Sequence, residues 1–420
     1  MTLRPPRLAF LLAVLTLANA VNYMDRSLIF VLGEPIKRDL GLSDVELGLL
    51  HGLAFALVFS FLGLPLSRIA DRGRQRLVII GSIALWSVMT TLGGFAQSFA
   101  QLAAMRVGVA AGEAGLHPAS HSLISRLFPD ERRGRALAIF SIGIPAGLAA
   151  GSVLGGWIAD QWGWRWAFLV MGPVSLILLP LAYLALPASK APVETRTASL
   201  IDAMWTMWRI PEFRWVWLGY AVATAFGYGS GTFFVPFYMR EHGLSALEAG
   251  GLYGIINGVI GVIGILAGGW LFDIGGRRGR GHALTPTILA LIASGLLAPL
   301  GWMMPTLVPS VVLVTTALLL YIFVSVPTIA ITQAVAPPEM RATASALIGL
   351  SGGLVGAITG PLAVGALSDL FGGGMAAGAL PQALALVALV QLVAAALYWR
   401  ARFHLRSAPA ADARSVAAPT

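Results

Sequence analysis

Four ionisable residues stand inside stretches otherwise apolar enough to cross a bilayer: Asp25, Arg26, Arg106 and Glu113, all in the first half of the chain. A charge near the bilayer centre costs about 2.5 to 3.5 kcal/mol on insertion scales, so four without partners would cost roughly 10 to 14 by addition, comparable with the net stability of a whole fold. They must pair or face water. Two are acids that a proton can neutralise, and two are arginines that stay charged and can hold an anion. Arg106, Glu113 and His117 follow one another at i, i+7 and i+11, which returns them nearly to one face of a helix. Arg106 and Glu113 are nonetheless about 10 Å apart along the axis, at 1.5 Å per residue, too far to neutralise each other. Asp25 and Arg26 are the available partners, either in a static ion pair that fixes two helices or in a switch. In a switch, desolvation raises a carboxyl pKa and a nearby arginine lowers it, so moving either one links proton binding to conformation. Asp25 and Glu113 are therefore the expected proton-coupling residues, and Arg26 and Arg106 the expected charge partners or head-group ligands. His51, His117 and His121 are weaker candidates, since a lone membrane histidine more often makes a structural hydrogen bond.

The elements that must position these groups follow from composition. Of 420 residues, 57% are hydrophobic and 11% charged, and the mean hydropathy is +0.80, far more apolar than a soluble domain of this size. At about 20 residues per crossing the chain divides into twelve helices with short connections. They are α1 (8–32), α2 (45–66), α3 (77–96), α4 (99–126), α5 (135–158), α6 (165–186), α7 (214–239), α8 (247–272), α9 (283–304), α10 (309–334), α11 (342–368) and α12 (379–399). The first apolar run is too long for a signal-peptide core and carries Asp25 and Arg26, so it is expected to be a mature helix. Of the 28 Lys and Arg, 22 fall on the side holding both termini, four on the other (Lys37, Arg38, Arg165, Arg240) and two within spans. The positive-inside rule then expects both termini in the cytoplasm and the chain in a plasma or inner membrane. The net charge of +9 is explained by topology, and no nucleic-acid partner is required. The absence of cysteine excludes disulfides and thiolate metal sites.

The second half repeats the first at a nearly constant offset. Ser67-Arg-Ile-Ala-Asp71-Arg72-Gly73-Arg74 after α2 returns as Gly269-Trp-Leu-Phe-Asp273-Ile-Gly-Gly276-Arg277-Arg278 after α8, with Asp71 and Asp273 202 positions apart. Gly147, Gly151 and Gly155 in α5 return as Gly352, Gly356 and Gly360 in α11, each 205 positions on. Such a four-residue glycine stripe lets a neighbouring helix approach closely and suits a sliding surface. The expected organisation is a bundle of six helices over 1–187, a linker with an amphipathic surface helix over 188–212, a second bundle over 213–400 and a cytoplasmic tail over 401–420. An aspartate placed at each loop, with Arg72, Arg74, Arg277 and Arg278 beside it, can bind arginines and helix-end amides of neighbouring helices while that side is closed. Asp71 and Asp273 are thus expected to be latches.

The Gly-x-x-x-Asp-x-x-Gly-Arg-Arg pattern after α8, and its degenerate copy after α2, resembles the loop signature of the major facilitator superfamily over the whole chain. The first copy departs from it, with Ser67 for the leading Gly and one residue missing between Asp71 and Gly73. Asn22-Tyr23-Met24-Asp25-Arg26 on α1 and Gly112-Glu113-Ala114 on α4 resemble the spinster-like branch. The resemblance implies two pseudo-symmetric six-helix bundles in an all-α membrane fold, rocker-switch alternating access and a lysolipid-like or sphingolipid-like substrate.

No enzyme is expected. Gly349-Leu-Ser351-Gly-Gly353 matches a Gly-x-Ser-x-Gly elbow but lies in an apolar helix without a strand, and no His-Glu-x-x-His motif, phosphate loop or dinucleotide fingerprint is present, so no cofactor or metal is expected. The second half places no acid or arginine within its spans, only groups such as Tyr228, Thr232, Asn257 and Thr328 beside aromatics such as Phe233. With Tyr23 and His117 from the first half, these are the expected cavity lining. A cavity charged on one wall and greasy on the other suits an amphiphile. The expected function is proton-coupled transport of such a molecule by a monomer, with lysolipid and protons as partners in membrane lipid, and drug or small-amphiphile efflux as the alternative.

Overall fold

The computed structural model describes residues 5–187, 200–277, 280–337, 340–372 and 378–407, and it is helical throughout, with no strand among the described residues. Among the described residues, ten helices are long and apolar enough to cross a membrane. Two more, α4 and α7, complete the twelve. α4 runs Phe99–Glu113 and, after a break at Ala114 and Gly115, Leu116–Leu127; α7 is one rod, Pro211–Glu241. α4 carries the buried charges Arg106 and Glu113, and α7 the buried hydroxyls of Thr224, Ser230 and Thr232.

The ends of several helices extend past their expected limits. α1 occupies Pro5–Leu40, which carries Glu34, Lys37 and Arg38 out beyond the apolar stretch. α5 occupies Asp130–Trp162 and α12 resumes after Leu389 to reach Ser407. α8 and α11 contain short π-helical turns at Ile256–Ile260 and Ser351–Gly356, of the kind that recurs at functional sites. The turn between α2 and α3 depends on Gly73, whose φ of 85° belongs to the left-handed region that glycine tolerates.

The glycine stripes are packing surfaces inside each half. Gly147, Gly151 and Gly155 seat α5 on Ala20, Met24 and Leu28 of α1. Their counterparts Gly352, Gly356 and Gly360 seat α11 on Tyr220, Thr224 and Ala225 of α7. The same pseudo-symmetric joint is therefore built twice, and a methyl group at Gly147 or Gly360 would run into a backbone carbonyl of the partner helix.

The two halves meet at the end opposite the termini. Here Asp369, at the end of α11, accepts the backbone N–H groups of Asp44 (3.0 Å) and Val45 (2.9 Å) in the first turn of α2. Asp160, at the end of α5, accepts those of Ala246 (3.1 Å) and Leu247 (2.9 Å) in the first turn of α8. A carboxylate at a helix N-terminus satisfies orphan amides and complements the helix dipole. Both capped helices also begin with a capping box, Ser43 with Glu46 and Ser245 with Glu248, 202 positions apart. Arg240 of α7 ties the same end together: Nε donates to Glu34 at 2.6 Å, while Nη1 and Nη2 donate to the two oxygens of Asp44 at 2.9 and 2.8 Å. Asp44 is fully buried and also receives Lys37 Nζ and Ser368 Oγ, each at 2.6 Å.

The linker helix, Leu200–Trp208, docks on the second half. Met207 is buried with Phe213, Ala344, Leu347 and Ile348, and the Trp208 ring meets Trp217 edge-on at 5.5 Å. Met204 and Trp205 stay exposed on its other side, an arrangement suited to the membrane interface.

Candidate functional site

α1 and α4 bring the four expected charges into one centre. Arg26 Nε donates to Glu113 Oε2 at 2.6 Å, and Glu113 is completely buried. The Arg26 guanidinium carbon also lies 5.0 Å from the ring centre of Tyr23 and 4.7 Å from that of Phe59, so aromatic faces flank the cation beside its carboxylate. Asp25, on the adjoining position of α1, accepts a 2.5 Å hydrogen bond from Thr90 Oγ1 of α3. Arg106 is buried within electrostatic range of both acids, and Asn22 lies beside Glu113. With both acids ionised the centre is neutral overall. Breaking a buried pair by removing one partner costs about 3 to 5 kcal/mol, because the other charge is stranded.

The second half faces this centre through α7. Tyr228 is 39% exposed although it lies midway along its helix, and it stands within electrostatic range of Arg26, Tyr23 and Tyr253. It borders interior space and not lipid. Asn257 sits in the π-turn of α8, half-buried, with its Nδ2 donating to Tyr253 O at 2.9 Å. Three residues expected to line the cavity do not. Thr232, Phe233 and Thr328 are fully buried; Phe233 packs in the main apolar core, and Thr328 is bonded to Tyr398 at 2.5 Å. Sequence periodicity identified the apolar helix but not which of its faces meets a neighbour.

Tyr23 and His117 are half-buried and in edge contact, with ring centres 5.7 Å apart. His121 is exposed. His51 is buried on α2, with Nδ1 at 2.8 Å from Leu47 O and its ring 5.1 Å from Phe30. Of the expected latch residues, Arg72, Arg74, Asp273 and Arg277 are exposed. The side chain of Asp71 and all of Arg278 lie outside the described residues. No group of three or more metal-ligating side chains occurs among the described residues.

The residues that join the halves were not foreseen. Lys37 and Arg240 counted only as topology charges, and Glu34, Asp44, Asp160 and Asp369 sit at helix ends, where acids are ordinary. The repeated Ser-x-x-Glu box at Ser43 and Ser245 is the signal that marks both docked helix starts.

Comparison with known proteins agrees with this architecture. Residues 15–361 match the Major Facilitator Superfamily. An MFS-type efflux pump of Mycolicibacterium smegmatis is 40% identical over 413 residues, covering 96% of this chain and 94% of the pump. Protein spinster homolog 3 of Danio rerio is 28% identical, covering 85% of this chain and 76% of its own. A bacterial homologue of the human lysosomal transporter Spinster, solved inward-facing and unoccupied, superposes with a TM-score of 0.87 at 25% identity, over 97% of this chain and 100% of its own. The chain is a multi-pass membrane transporter that belongs to the major facilitator superfamily and resembles its spinster branch.

Proposed function

We propose that this transporter is a proton-coupled carrier of an amphipathic, lysolipid-like molecule, working by alternating access between its two halves. The observation that carries the reading is the 2.6 Å pair of the half-buried Arg26 with the fully buried Glu113, faced across the interior by Tyr228 of the other half. A proton and an anionic head group favour the same arrangement: protonation of Glu113 releases Arg26 from the carboxylate, and an anion on Arg26 takes the carboxylate's place. Binding of one thus favours the other's state by a coupling free energy, which is all that coupled transport requires. The aromatic neighbours Tyr23, Phe59 and Tyr228 suit the apolar part of an amphiphile.

Both termini are assigned to the cytoplasm from the distribution of Lys and Arg, and the chain to a plasma or inner membrane. The tight far end then corresponds to a closed periplasmic gate, and the exposure of Asp273 and Arg277 to a disengaged cytoplasmic latch, the arrangement of an inward-facing state. Asp71, Arg72, Arg74 and Arg278 complete that latch in the opposite state.

In proteoliposomes, a pH gradient is expected to accelerate movement of a fluorescent lysophosphatidylcholine by the unmodified protein and not by Glu113→Gln. Full gradient-driven movement by that variant would remove Glu113 from the coupling role. Efflux of drugs is a second reading, supported by the 40% identical efflux pump. Competition between ethidium and the lysolipid separates the two: displacement by ethidium alone favours drug efflux.

A further inference from the structure

The seam between α1 and α4 holds a run of buried polar atoms that the ion pair does not use. Nδ1 and Nε2 of His117, Oγ of Ser120 and Oδ1 of Asn19 are buried without a hydrogen-bond partner, and the Asn22 side chain bonds Glu113 at the head of the same seam. Buried side-chain polar atoms are mostly bonded to protein or to ordered water, so water is the natural partner of these atoms along the seam. Glu113, His117 and His121 stand at i, i+4 and i+8 of α4, one stripe of the helix, although the backbone is interrupted at Ala114 and Gly115. The stripe leads from the fully buried carboxylate to an exposed histidine on the way to the side that holds the termini. The imidazoles meet edge-on with centres 6.3 Å apart, and Phe140 holds both, at 5.9 Å from His117 and 5.4 Å from His121. Asn19 Nδ2 donates to the carbonyl of Phe140 at 2.8 Å, which fixes the amide beside that ring pair.

We propose that the α1/α4 seam is the route by which the proton leaves the coupling carboxylate: His117 and His121 relay it, and Asn19, Asn22 and Ser120 hold the bridging water. This deepens the proton-coupled reading and rests on it. In the first step the O–H bond of protonated Glu113 breaks, the proton passes through water to a ring nitrogen of His117, and the carboxylate is restored beside Arg26. The imidazolium then releases the proton from its other nitrogen toward His121, which passes it to solvent, and each ring returns neutral with its tautomer exchanged. The charged and titratable groups around Glu113 are Arg26, Arg106 and Asp25; those around His117 are Arg26, Tyr23 and His121.

The test needs no substrate. Purified full-length protein in nanodiscs receives a proton jump from a photolysed caged acid, and infrared absorption follows the protonated carboxyl band that disappears in Glu113→Gln. Because protons travel the same route in both directions, His117→Ala and His121→Ala are expected to slow the rise of that band by about a hundredfold, the low end of what a positioned proton-transfer group contributes. The final amplitude should be retained. His117→Phe preserves the contacts with Tyr23 and Phe140 and must be equally slow, and added imidazole should restore speed to His117→Ala. Unmodified rates in folded His117→Phe and His121→Ala would overturn the relay while leaving the coupling role of Glu113 intact. Absence of any Glu113-dependent band in the unmodified protein would overturn the coupling reading, and the relay with it.

Discussion

Asp160 and Asp369 are pseudo-symmetry mates, and each clamps the first turn of a helix in the opposite half with both carboxylate oxygens. The two clamps are not of equal strength. Asp160 is exposed, whereas Asp369 is half-buried beside the Asp44 cluster. Replacing an N-terminal cap costs about 0.5 to 2 kcal/mol, with screened sites at the low end. Asp369→Ala is therefore expected to open the far end more than Asp160→Ala, and the double variant should approach the sum because the two share no partner. Electron–electron resonance distances between labels at Gln97 and Thr306, on the far-end loops of the two halves, measure the populations. Equal shifts from the two single variants would contradict the ranking.

Arg240 joins three elements, α1 through Glu34, the start of α2 through Asp44 and its own α7, with a fork that matches the Asp44 carboxylate oxygen for oxygen. Lysine cannot reproduce that geometry. Arg240→Ala strands a buried acid cluster and is expected to cost about 3 to 5 kcal/mol of the closed state. Arg240→Lys should recover less than half of the loss. Thermal melting combined with cysteine accessibility at the far end provides the measure, and a lysine variant indistinguishable from the parent would show that charge alone suffices there.

The Arg26 and Glu113 pair predicts a non-additive cycle. Arg26→Gln strands the fully buried Glu113 carboxylate and should destabilise by about 3 to 5 kcal/mol, while Glu113→Gln leaves the half-buried guanidinium without that carboxylate and should cost somewhat less. The double replacement removes both charges and should cost less than either single change in melting experiments, since neighbours in one network do not add. Transport driven by a pH gradient is nonetheless expected to be absent from all three variants. A double variant as unstable as the sum of its parts would mean that the pair is not the partnership the 2.6 Å contact describes.

How much of this could be read from the sequence depends on the kind of residue. Asp25, Arg26, Arg106 and Glu113 were legible because a charge inside an apolar span has few explanations, and the pairing of α1 with α4 followed from the axial distance between Arg106 and Glu113. The duplication was legible in Asp71 and Asp273 and in the two glycine stripes. The far-end joint was not, because Asp44, Asp160 and Asp369 work through backbone amides of helices that only the tertiary fold brings near. Thr232, Phe233 and Thr328 were misplaced for a related reason. A helix apolar on every side gives no hydrophobic stripe from which to tell a cavity face from a packed one.

That last distinction gives a direct comparison on α7. Tyr228 is partly exposed beside Arg26, whereas Phe233, five residues along, is fully buried in the core. Phe233→Ala removes packed volume and is expected to cost about 3 to 5 kcal/mol of stability, with little change in ligand affinity for the folded fraction. Tyr228→Phe retains the ring and removes one hydroxyl, and loss of a hydrogen-bonding group costs about 1 kcal/mol. Its melting temperature should stay near that of the parent, while affinity for an anionic lysolipid, read by microscale thermophoresis, should fall about fivefold. If Phe233→Ala weakened binding in the folded fraction and Tyr228→Phe did not, the substrate would lie against a different face of α7 from the one that meets Arg26.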